Sequence, residues 1–367
     1  MSLLPGIAAA ALVMVSGFWL ADIIGRGILL AQGISGSNPI SGVPIAIVLG
    51  LLLRNLLPLP RILTPGLKFC VTTVLRLGIV LVGIRLSAFD LVRLGLGGLP
   101  VVLVAVATGL IFVTWFNRRM GLPPRLGTLI AAGTSICGVT AIVSTAPAVD
   151  ADEREVAYAV ANVVAFGLFG MLVYPYIAHA LLQRSETVGL FLGTAIHDTS
   201  QVVGAALTYR QMYADDVVLR VATVTKLTRN LCLAGVIPLL TWMHLRASRE
   251  ANAPQAVTRW TTLVPLFVLG FVGMAVVRTV GDATLGAGAA YGVWDAAAWA
   301  RLTNQLGDFW ASRLLLGTAM AAVGLNTSLA VFKGVGARPF VVGLAGALVV
   351  GAMGMVMAVI FGPFVAL

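Results

Sequence analysis

Two short polar motifs interrupt apolar segments of this chain, and their residue types are suited to binding ions. They read GTSICG at 133–138 and GTAIHD at 193–198. A bilayer offers the backbone no hydrogen-bond partner, so irregular backbone at membrane depth persists only inside protein or beside a wet cavity. Paired interruptions at corresponding positions are typical of transporter substrate sites. We therefore predict that the two motifs form one ligand site.

The first group of candidate residues would bind a small anion. Glycines let the backbone approach a ligand, and hydroxyl and backbone N–H groups donate to it. Two basic residues spaced i, i+3 deep in an apolar segment lie on one helix face and add positive potential. The predicted substrate-binding residues are Gly133, Thr134, Ser135, Cys137, Gly138, Gly193, Thr194, Lys226 and Arg229. Two alternatives stay open: a close helix crossing that needs small residues, and a structural salt bridge from Lys226 and Arg229 to Asp198.

The second group would couple transport to a proton or cation. His197 and Asp198 are an adjacent acid–base pair inside an apolar segment. Histidine titrates near neutrality, and burial can raise the pKa of a carboxyl group. We predict that Asp198 carries the coupling ion with help from His197, the alternative being a hydrogen-bonded structural pair. Five further polar residues are predicted to support the site from behind: Arg76, Asn162, Gln201, Asn326 and Ser328.

The composition shows what kind of protein must position these residues. Of the 367 residues, 59% are hydrophobic and 10% are charged, and the mean hydropathy is +1.00. Soluble domains carry about 25% charged residues. We therefore predict an all-α polytopic membrane protein with one transmembrane transporter domain over 1–367. The net charge of +10 is assigned to topology and lipid headgroups rather than to nucleic acid, because the basic residues lie mainly in short connections.

Eleven apolar segments are predicted, which corresponds to about 9–11 membrane-spanning elements. Most connections are short, and the Gly/Ala-rich connection 281–307 is expected to carry a small interfacial helix around Trp294 to Trp299. The predicted segments are 6–25, 43–57, 67–86, 96–116, 126–147, 156–180, 187–208, 217–243, 260–280, 308–328 and 339–364.

The distribution of basic residues predicts the orientation, since cytoplasmic connections are enriched in Lys and Arg. One side of the predicted topology receives more of them, which places the N-terminus in the cytoplasm and the C-terminus outside. The richer side holds Arg54, Arg61, Lys68, Arg118, Arg119, Arg125, Arg246, Arg249, Arg259, Lys333 and Arg338; the poorer side holds Arg26, Arg85, Arg93, Arg278 and Arg301.

Internal repeats predict how the motif segments enter the membrane. Residues 133–175 resemble 193–238: each begins with a Gly-Thr motif, passes an acidic connection and ends at a proline. Residues 75–87 match 316–328, and 44–53 match 265–276 more weakly. If each motif segment is a re-entrant hairpin, one span separates the two and they enter from opposite sides. We favour this inverted-repeat plan, in which the two Gly-Thr turns meet near the midplane.

The motifs also carry a resemblance to a known family. Over nearly its full length the chain is similar to the family of proposed sulfate exporters, conserved bacterial inner-membrane proteins of unknown function. The resemblance implies a fold like that of inverted-repeat cation/proton antiporters and anion transporters, and sulfate is implied by the family label alone. One departure is the more polar Val143-Ser144-Thr145. The motifs concerned are LRLG at 75–78, RLS at 85–87, GTSICG at 133–138, GTAIHD at 193–198, QVV at 201–203, AT at 222–223, KLTR at 226–229, AMAA at 319–322 and GL at 324–325.

The motifs are compatible with four functions. The favoured one is a secondary transporter of a small anion, sulfate or a related sulfur oxyanion or sulfonate, coupled to H⁺ or Na⁺. The chain has no Walker-A loop, and no cofactor, metal or nucleic acid is expected; the expected partners are the anion, the coupling ion, membrane lipids and a second copy of the chain. The alternatives are a cation/proton antiporter using Asp198, an intramembrane hydrolase using Ser135 and His197, and a channel.

Overall fold

The computed structural model of this protein describes residues 2–32, 41–233, 235–240, 266–286, 288–328, 330 and 336–365. Throughout that part of the chain the regular elements are helices, apart from one isolated bridge between Ala290 and Trp294. The helices are α1 Leu4–Gln32, α2 Gly42–Leu56, α3 Arg61–Arg85, α4 Ala88–Arg119, α5 Pro124–Ser135, α6 Val139–Thr145, α7 Glu153–Leu181, α8 Ser185–Ala195, α9 Thr199–Tyr213, α10 Asp216–Leu231, α11 Leu266–Leu285, α12 Ala296–Asn304, α13 Gly317–Asn326 and α14 Ala337–Phe361.

Several helix starts follow from local sequence. Ser41 caps α2 by accepting the amide of Val43. A capping box between Asp152 and Glu155 begins α7, and such reciprocal bonds satisfy amides that the first turn leaves free. Pro123 precedes α5 and Pro124 is its first residue. At these positions the missing N–H of proline has no cost, because the first amides of a helix have no helical acceptor.

Six helices are long and apolar enough to cross a membrane, and they confirm an all-α polytopic membrane protein. The helices with span-like length and composition lie at Leu4–Gly27, Arg61–Arg85, Ala88–Arg119, Glu153–Leu181, Leu266–Leu285 and Ala337–Phe364. The other predicted segments are recovered as shorter or interrupted helices. Some predictions fall outside the described residues. These are the last residues of segment 217–243, the first residues of segment 260–280, and the basic residues Arg246, Arg249, Arg259 and Lys333.

The prediction that 281–307 is a connection is wrong in its second half, where the structure has a helix. Asp295 caps α12 by accepting the amide of Ala298, so a helix begins at Ala296 and buries Trp299, which is 3% exposed. A π-helix, Gln305–Leu316, then joins α12 to α13 without a break. The helix predicted around Trp294 to Trp299 is therefore the first turn of a long, interrupted helix rather than an isolated interfacial one.

The chain divides into two compact units, each discontinuous in sequence. The first comprises the described residues of 1–93, 206–220 and 266–329, and the second those of 94–205, 221–265 and 330–367. In the first unit α2 packs closely on α13, because Gly50 and Gly324 let the two backbones approach. Both interrupted motif segments begin in the second unit.

The first motif segment is a re-entrant hairpin. Its arms are α5 and α6, separated by residues 136–138. Arg125, at the start of α5, donates to the backbone oxygen of Asp150 at 2.6 Å and lies 3.4 Å from its carboxylate, just past the end of the second arm. Ile142 of α6 also packs against Gly133 of α5. The chain therefore turns at the motif and returns to the side from which it entered.

The second motif segment turns back in the same way. Its arms are α8 and α9, separated by residues 196–198. Gly189 of α8 packs on Val221 of α10, and Gly193 packs on Thr225, so α8 and α10 run parallel. Two parallel helices in sequence require the intervening α9 to run the opposite way, which makes α8 and α9 a hairpin.

The hairpins enter from opposite ends of the second unit, as α4 shows. Gly127, near the start of α5, packs against Asn117 at one end of α4, and Ser135 at the tip packs against Gly109. Leu190 of the second hairpin packs against Gly98, towards the other end of α4.

Contacts along α14 place the two hairpins in the same order. Thr134 contacts Gly346, whereas Thr194 contacts Gly354, about 12 Å further along the helix at its usual rise. The predicted pair of re-entrant, opposed hairpins is confirmed.

Candidate functional site

The hairpin tips meet two buried cations carried by α10. Lys226 and Arg229 are each 0% exposed, and they are the largest fully buried side chains in the described part of the chain. Their spacing on α10 places both side chains on one face of the helix. A charge at this depth is costly unless it has partners, so the contacts that the two cations make determine the character of the site.

Lys226 is held by backbone oxygen atoms from both hairpins. Its ammonium group donates to the carbonyl of Ile136 at 2.7 Å, to that of Ile196 at 3.3 Å, and to that of His197. An ammonium group has three N–H donors, so these contacts use all of them. Lys226 thereby joins the tip of the first hairpin to the tip of the second.

Arg229 makes the matching set of contacts one turn further along α10. Its Nε donates to the carbonyl of Ser135 at 2.6 Å, and Nη2 donates to that of Thr134. Its Nη1 donates to the carbonyls of Thr194 at 2.7 Å and Ile196 at 3.0 Å. These carbonyls end α5 and α8, where a helix leaves its last acceptors unpaired and carries partial negative charge. Arg229 therefore completes the interrupted ends of both helices.

The alternative of a structural salt bridge to Asp198 is wrong in this structure. Within the described residues, Lys226 and Arg229 donate to carbonyl oxygens and form no ion pair. The physical reason is the break in each hairpin, which exposes several backbone acceptors to the same two side chains. Carbonyl oxygens lower the cost of burying the charges but do not neutralise them.

Asp198 begins α9 instead. Its Oδ1 accepts the Ser200 amide at 2.9 Å and the Ser200 hydroxyl at 2.6 Å, which is the geometry of a helix N-cap. The other oxygen, Oδ2, faces the first hairpin, where a methyl group placed on Gly138 would lie 3.0 Å away. Asp198 is half-buried, so it is the more accessible charge at the crossing.

Two glycines are required by geometry at the crossing. Gly138 has φ 70° and ψ −127°, a conformation that only glycine adopts without strain. At Gly193 a methyl group would lie 2.7 Å from Cβ of Thr225 and 2.9 Å from the carbonyl of Ala222. Gly138 permits the turn, and Gly193 permits the close approach of α8 and α10.

Two polar atoms at the crossing are buried without a hydrogen-bond partner in the described part of the chain. They are Oγ of Ser135 and Nδ1 of His197. Buried polar atoms without partners are rare and often mark a place for water, an ion or a ligand. Among the described residues, Oγ of Ser135 is therefore not hydrogen-bonded to the His197 imidazole.

Other predicted residues have plainer roles. The Thr194 hydroxyl donates to the carbonyls of Leu190 and Phe191 within its own helix, so it is not free for a ligand. The Thr134 side chain packs on α14 beside Gly346, and its carbonyl receives Arg229. Cys137 packs in an apolar cluster with residues of α4 and the first hairpin, and Gly133 admits Ile142 and Val163.

The supporting residues divide between the two units. Gln201 reinforces the second hairpin by accepting the Asp198 amide at 3.2 Å and donating to the carbonyl of Val164. Asn162 donates to the carbonyl of Tyr158 and faces Gly343 of α14, with Oδ1 buried and unpartnered. Arg76, Asn326 and Ser328 belong to the first unit. There Arg76 is exposed and stacks over Phe267 at 5.8 Å instead of meeting a carboxylate.

Sequence reasoning missed Ser200 and Thr225. Ser200 holds the Asp198 carboxylate, and Thr225 packs against Gly193. Ser200 could have been found, because Asp-Thr-Ser before an apolar stretch is a helix-start signal. Thr225 gave no signal, since its role depends on which face of α10 meets α8.

The fold and the crossing define a class: a polytopic helical membrane protein with two opposed, interrupted hairpins bridged by buried cations. Within that class, residues 5–343 match the family described as conserved hypothetical protein 698. The chain belongs to this family. This confirms the family predicted from the motifs as a conserved bacterial membrane family of unknown function.

The chain is also similar to curated relatives named UPF0324 membrane proteins. A UPF0324 membrane protein of Streptococcus pneumoniae is 32% identical over 302 residues, which cover 82% of this chain and 84% of the relative. The UPF0324 membrane protein Atu0671 of Agrobacterium fabrum is 34% identical and covers 68% of each chain. Among solved structures, the sodium proton antiporter MjNhaP1 of Methanocaldococcus jannaschii aligns over 98% of this chain and 99% of its own, at 14% identity and a TM-score of 0.27. That score is too low to establish a shared fold.

Proposed function

We propose that this protein is a secondary transporter of a small anion and that the crossing of the two hairpins is its transport site. One observation carries the proposal: two fully buried cations lie at the crossing with no ion-pair partner among the described residues, while the nearby carboxylate of Asp198 is half-buried and bonded to Ser200. Lys226 and Arg229 contribute two positive charges and Asp198 contributes one negative charge. The remaining positive charge lies where the surroundings have a low dielectric constant, so an anion arriving at the crossing is attracted strongly.

The unpartnered groups identify where the anion would be recognised. The hydroxyl of Ser135 can donate to an oxyanion, and Nδ1 of His197 can do so once the imidazole is protonated. Neither group carries a fixed full charge at neutral pH, so the anion would be held without being trapped. Sulfate, sulfite and simple sulfonates carry acceptor oxygens for such donors, in line with the resemblance of the motifs.

Coupling to H⁺ or Na⁺ is assigned to His197 and Asp198. Asp198 Oδ2 lies at the contact between the hairpins, and His197 follows the carbonyl of Ile196 that both cations share. Protonating either residue would raise the positive charge of the site and strengthen anion binding. A carrier built in this way loads its anion more tightly when the coupling ion is bound.

The test is flux into proteoliposomes. Labelled sulfate, sulfite and a simple sulfonate are offered with and without imposed pH and Na⁺ gradients to wild type, Lys226→Gln and Lys68→Gln. Glutamine retains hydrogen-bond donors but removes the charge, and Lys68 is an exposed lysine in the first unit, which makes it the matched control.

Gradient-driven flux is expected in wild type and Lys68→Gln, with a loss of at least tenfold in Lys226→Gln; a tenfold loss corresponds to about 1.4 kcal/mol. The proposal would be overturned if folded wild-type protein transported none of these anions under any gradient. Flux that is unchanged in Lys226→Gln would show that the buried charge does not serve the anion.

The location and orientation complete the proposal. We place the chain in the bacterial inner membrane, with the N-terminus in the cytoplasm and the C-terminus outside, on the basis of the basic connections. Reporters that fluoresce only in the cytoplasm, fused to either end, test this. An N-terminal fusion should fluoresce and a C-terminal fusion should stay dark, and the reverse pattern would contradict the assigned orientation.

A further inference from the structure

The first unit contains a second polar region, separate in sequence from the motifs. A cavity of about 910 Å³ opens there beside α1, α9 and the π-helix, within the size range of small-molecule sites. Its lining is apolar on one side and charged on the other. The apolar wall is formed by Met14, Val15, Phe18 and Trp19 of α1.

The charged side of the cavity is an ion-pair network. Arg85 donates to Asp308 at 2.5 Å and to Asp216 at 2.9 Å, and Arg210 donates to the same two carboxylates. A second pair, Asp22 with Arg26, lies on α1 at 2.8 Å. Each aspartate that lines the cavity therefore already has an arginine partner.

Arg313 is the exception among these charges. It lines the cavity and makes no ion pair within the described residues. Its guanidinium carbon lies 6.0 Å from the centroid of the Phe18 ring, at the limit of a cation–π contact. The lining supplies three arginines against three aspartates, and Arg85 behind it adds one more positive charge, so the cavity retains a net charge of about +1 by formal count.

The π-helix explains how these groups reach one face. In a π-helix the bonding is i to i+5, and the Ser312 hydroxyl accordingly donates to the carbonyl of Gly307 at 2.7 Å. Asp308, Ser312 and Arg313 all line the cavity, as a wider helix turn allows. Single π turns are frequently found at functional sites, and here the irregular turns direct the unpaired cation towards the cavity.

The depth and accessibility of the cavity indicate its ligand. Trp19 is 66% exposed and Val15 is 57% exposed, so the apolar wall is open on the outer surface of α1. Asp22 and Arg26 lie near the end of the α1 span, the level at which charged residues meet lipid headgroups, and Trp19 lies about two turns deeper. A ligand here must carry an anionic head and an apolar chain.

We propose that this cavity binds one anionic phospholipid, with its phosphate on Arg313 and an acyl chain along Val15, Phe18 and Trp19. Arginine binds phosphate groups through charge-assisted hydrogen bonds. The lipid phosphate supplies the carboxylate-like partner that Arg313 lacks. The acyl chain fills the apolar side, which leaves the ion-pair network undisturbed.

The test uses the purified full chain and its thermal unfolding. Phosphatidylglycerol is titrated against phosphatidylcholine of identical acyl chains, and glycerol phosphate is titrated in a separate arm. Wild type is compared with Arg313→Gln and with Arg301→Gln, an exposed arginine of α12 that lies outside the lining. Trp19→Ala, at an exposed position, tests the apolar wall in case Arg313→Gln folds poorly.

Phosphatidylglycerol should stabilise wild type and Arg301→Gln saturably, and Arg313→Gln should need about tenfold more, as expected for the loss of one charge-assisted hydrogen bond. Trp19→Ala should also weaken the response. Equal responses in Arg313→Gln and Arg301→Gln would overturn the proposal by showing a general surface-charge effect. Full stabilisation by glycerol phosphate alone would overturn the lipid assignment, since the acyl chain would then contribute nothing.

Discussion

Two clusters of buried or half-buried cations in this chain differ in what holds them. At the hairpin crossing, Lys226 and Arg229 are fully buried and donate to backbone carbonyls. In the first unit, Arg85 and Arg210 donate to two carboxylates that are each 43% exposed. The first cluster keeps a net positive charge, whereas the second is neutral by formal count. An arginine that faces carboxylates is a structural connection, and one that faces only carbonyls leaves a field that can act on an ion.

The largest effect is expected from removing Arg229. Arg229→Met leaves the carbonyls of Thr134, Ser135 and Thr194 without this donor inside a buried region. Unsatisfied buried groups cost about 1–3 kcal/mol each, so the variant should lose about 3 kcal/mol or more of stability. Thermal unfolding in detergent measures it, with the part-exposed Arg278→Met as control. A shift no larger than that of Arg278→Met would show that Arg229 does not hold the hairpin tips.

The next effect concerns the turn of the first hairpin. Gly138→Ala forces a side chain into φ 70° and towards Asp198, which should cost about 1–3 kcal/mol and reduce anion flux. Gly273→Ala is the control, because a methyl group there meets nothing within 4 Å and alanine favours a helix. Unfolding midpoints that agree for the two variants would contradict the crossing geometry.

A smaller effect is expected in the carboxylate cluster. Asp308→Asn removes one of two acids shared by Arg85 and Arg210, and the loss should be about 1 kcal/mol, because partly exposed ion pairs contribute little. The difference from wild type should shrink as NaCl rises from 0.1 to 1 M, since salt screens exposed charges. The effect of Arg229→Met should not shrink, because buried charges are screened much less. Salt dependence of equal size in both variants would remove the distinction between the clusters.

The sequence predicts the interruptions and the burial of the cations, and the reasons are local. A glycine-rich polar stretch within an apolar segment breaks a helix wherever it lies, and Lys226 is buried because its whole segment is apolar. The partners of Lys226 could not be predicted. They depend on the two hairpin tips, which lie 90 and 30 residues away in the chain and become neighbours only when opposed hairpins meet. Asp198, which the sequence left open as an acidic partner of Lys226, lies at the start of α9 and is bonded to Ser200.

The first unit illustrates the opposite case. Arg85, Arg210, Asp216 and Asp308 come from four separate elements, and no spacing in the sequence connects them. The sequence gives no signal for the π-helix Gln305–Leu316 either, because its side chains would suit an ordinary α-helix. Both features arise from tertiary packing, so local patterns predict neither the ion-pair network nor the cavity beside it.

The central claim is that the net positive charge at the crossing binds an anion, and equilibrium binding of labelled sulfate and sulfite to Lys226→Gln and Asp198→Asn tests it most directly. Asparagine keeps an acceptor for Ser200, so each variant changes charge with little change in shape. The account predicts that Lys226→Gln weakens binding at least tenfold, whereas Asp198→Asn, which raises the positive charge, keeps or tightens it. Binding that survives in Lys226→Gln and is lost in Asp198→Asn would contradict the account, because the carboxylate rather than the buried cations would then be the group that binds the transported ion.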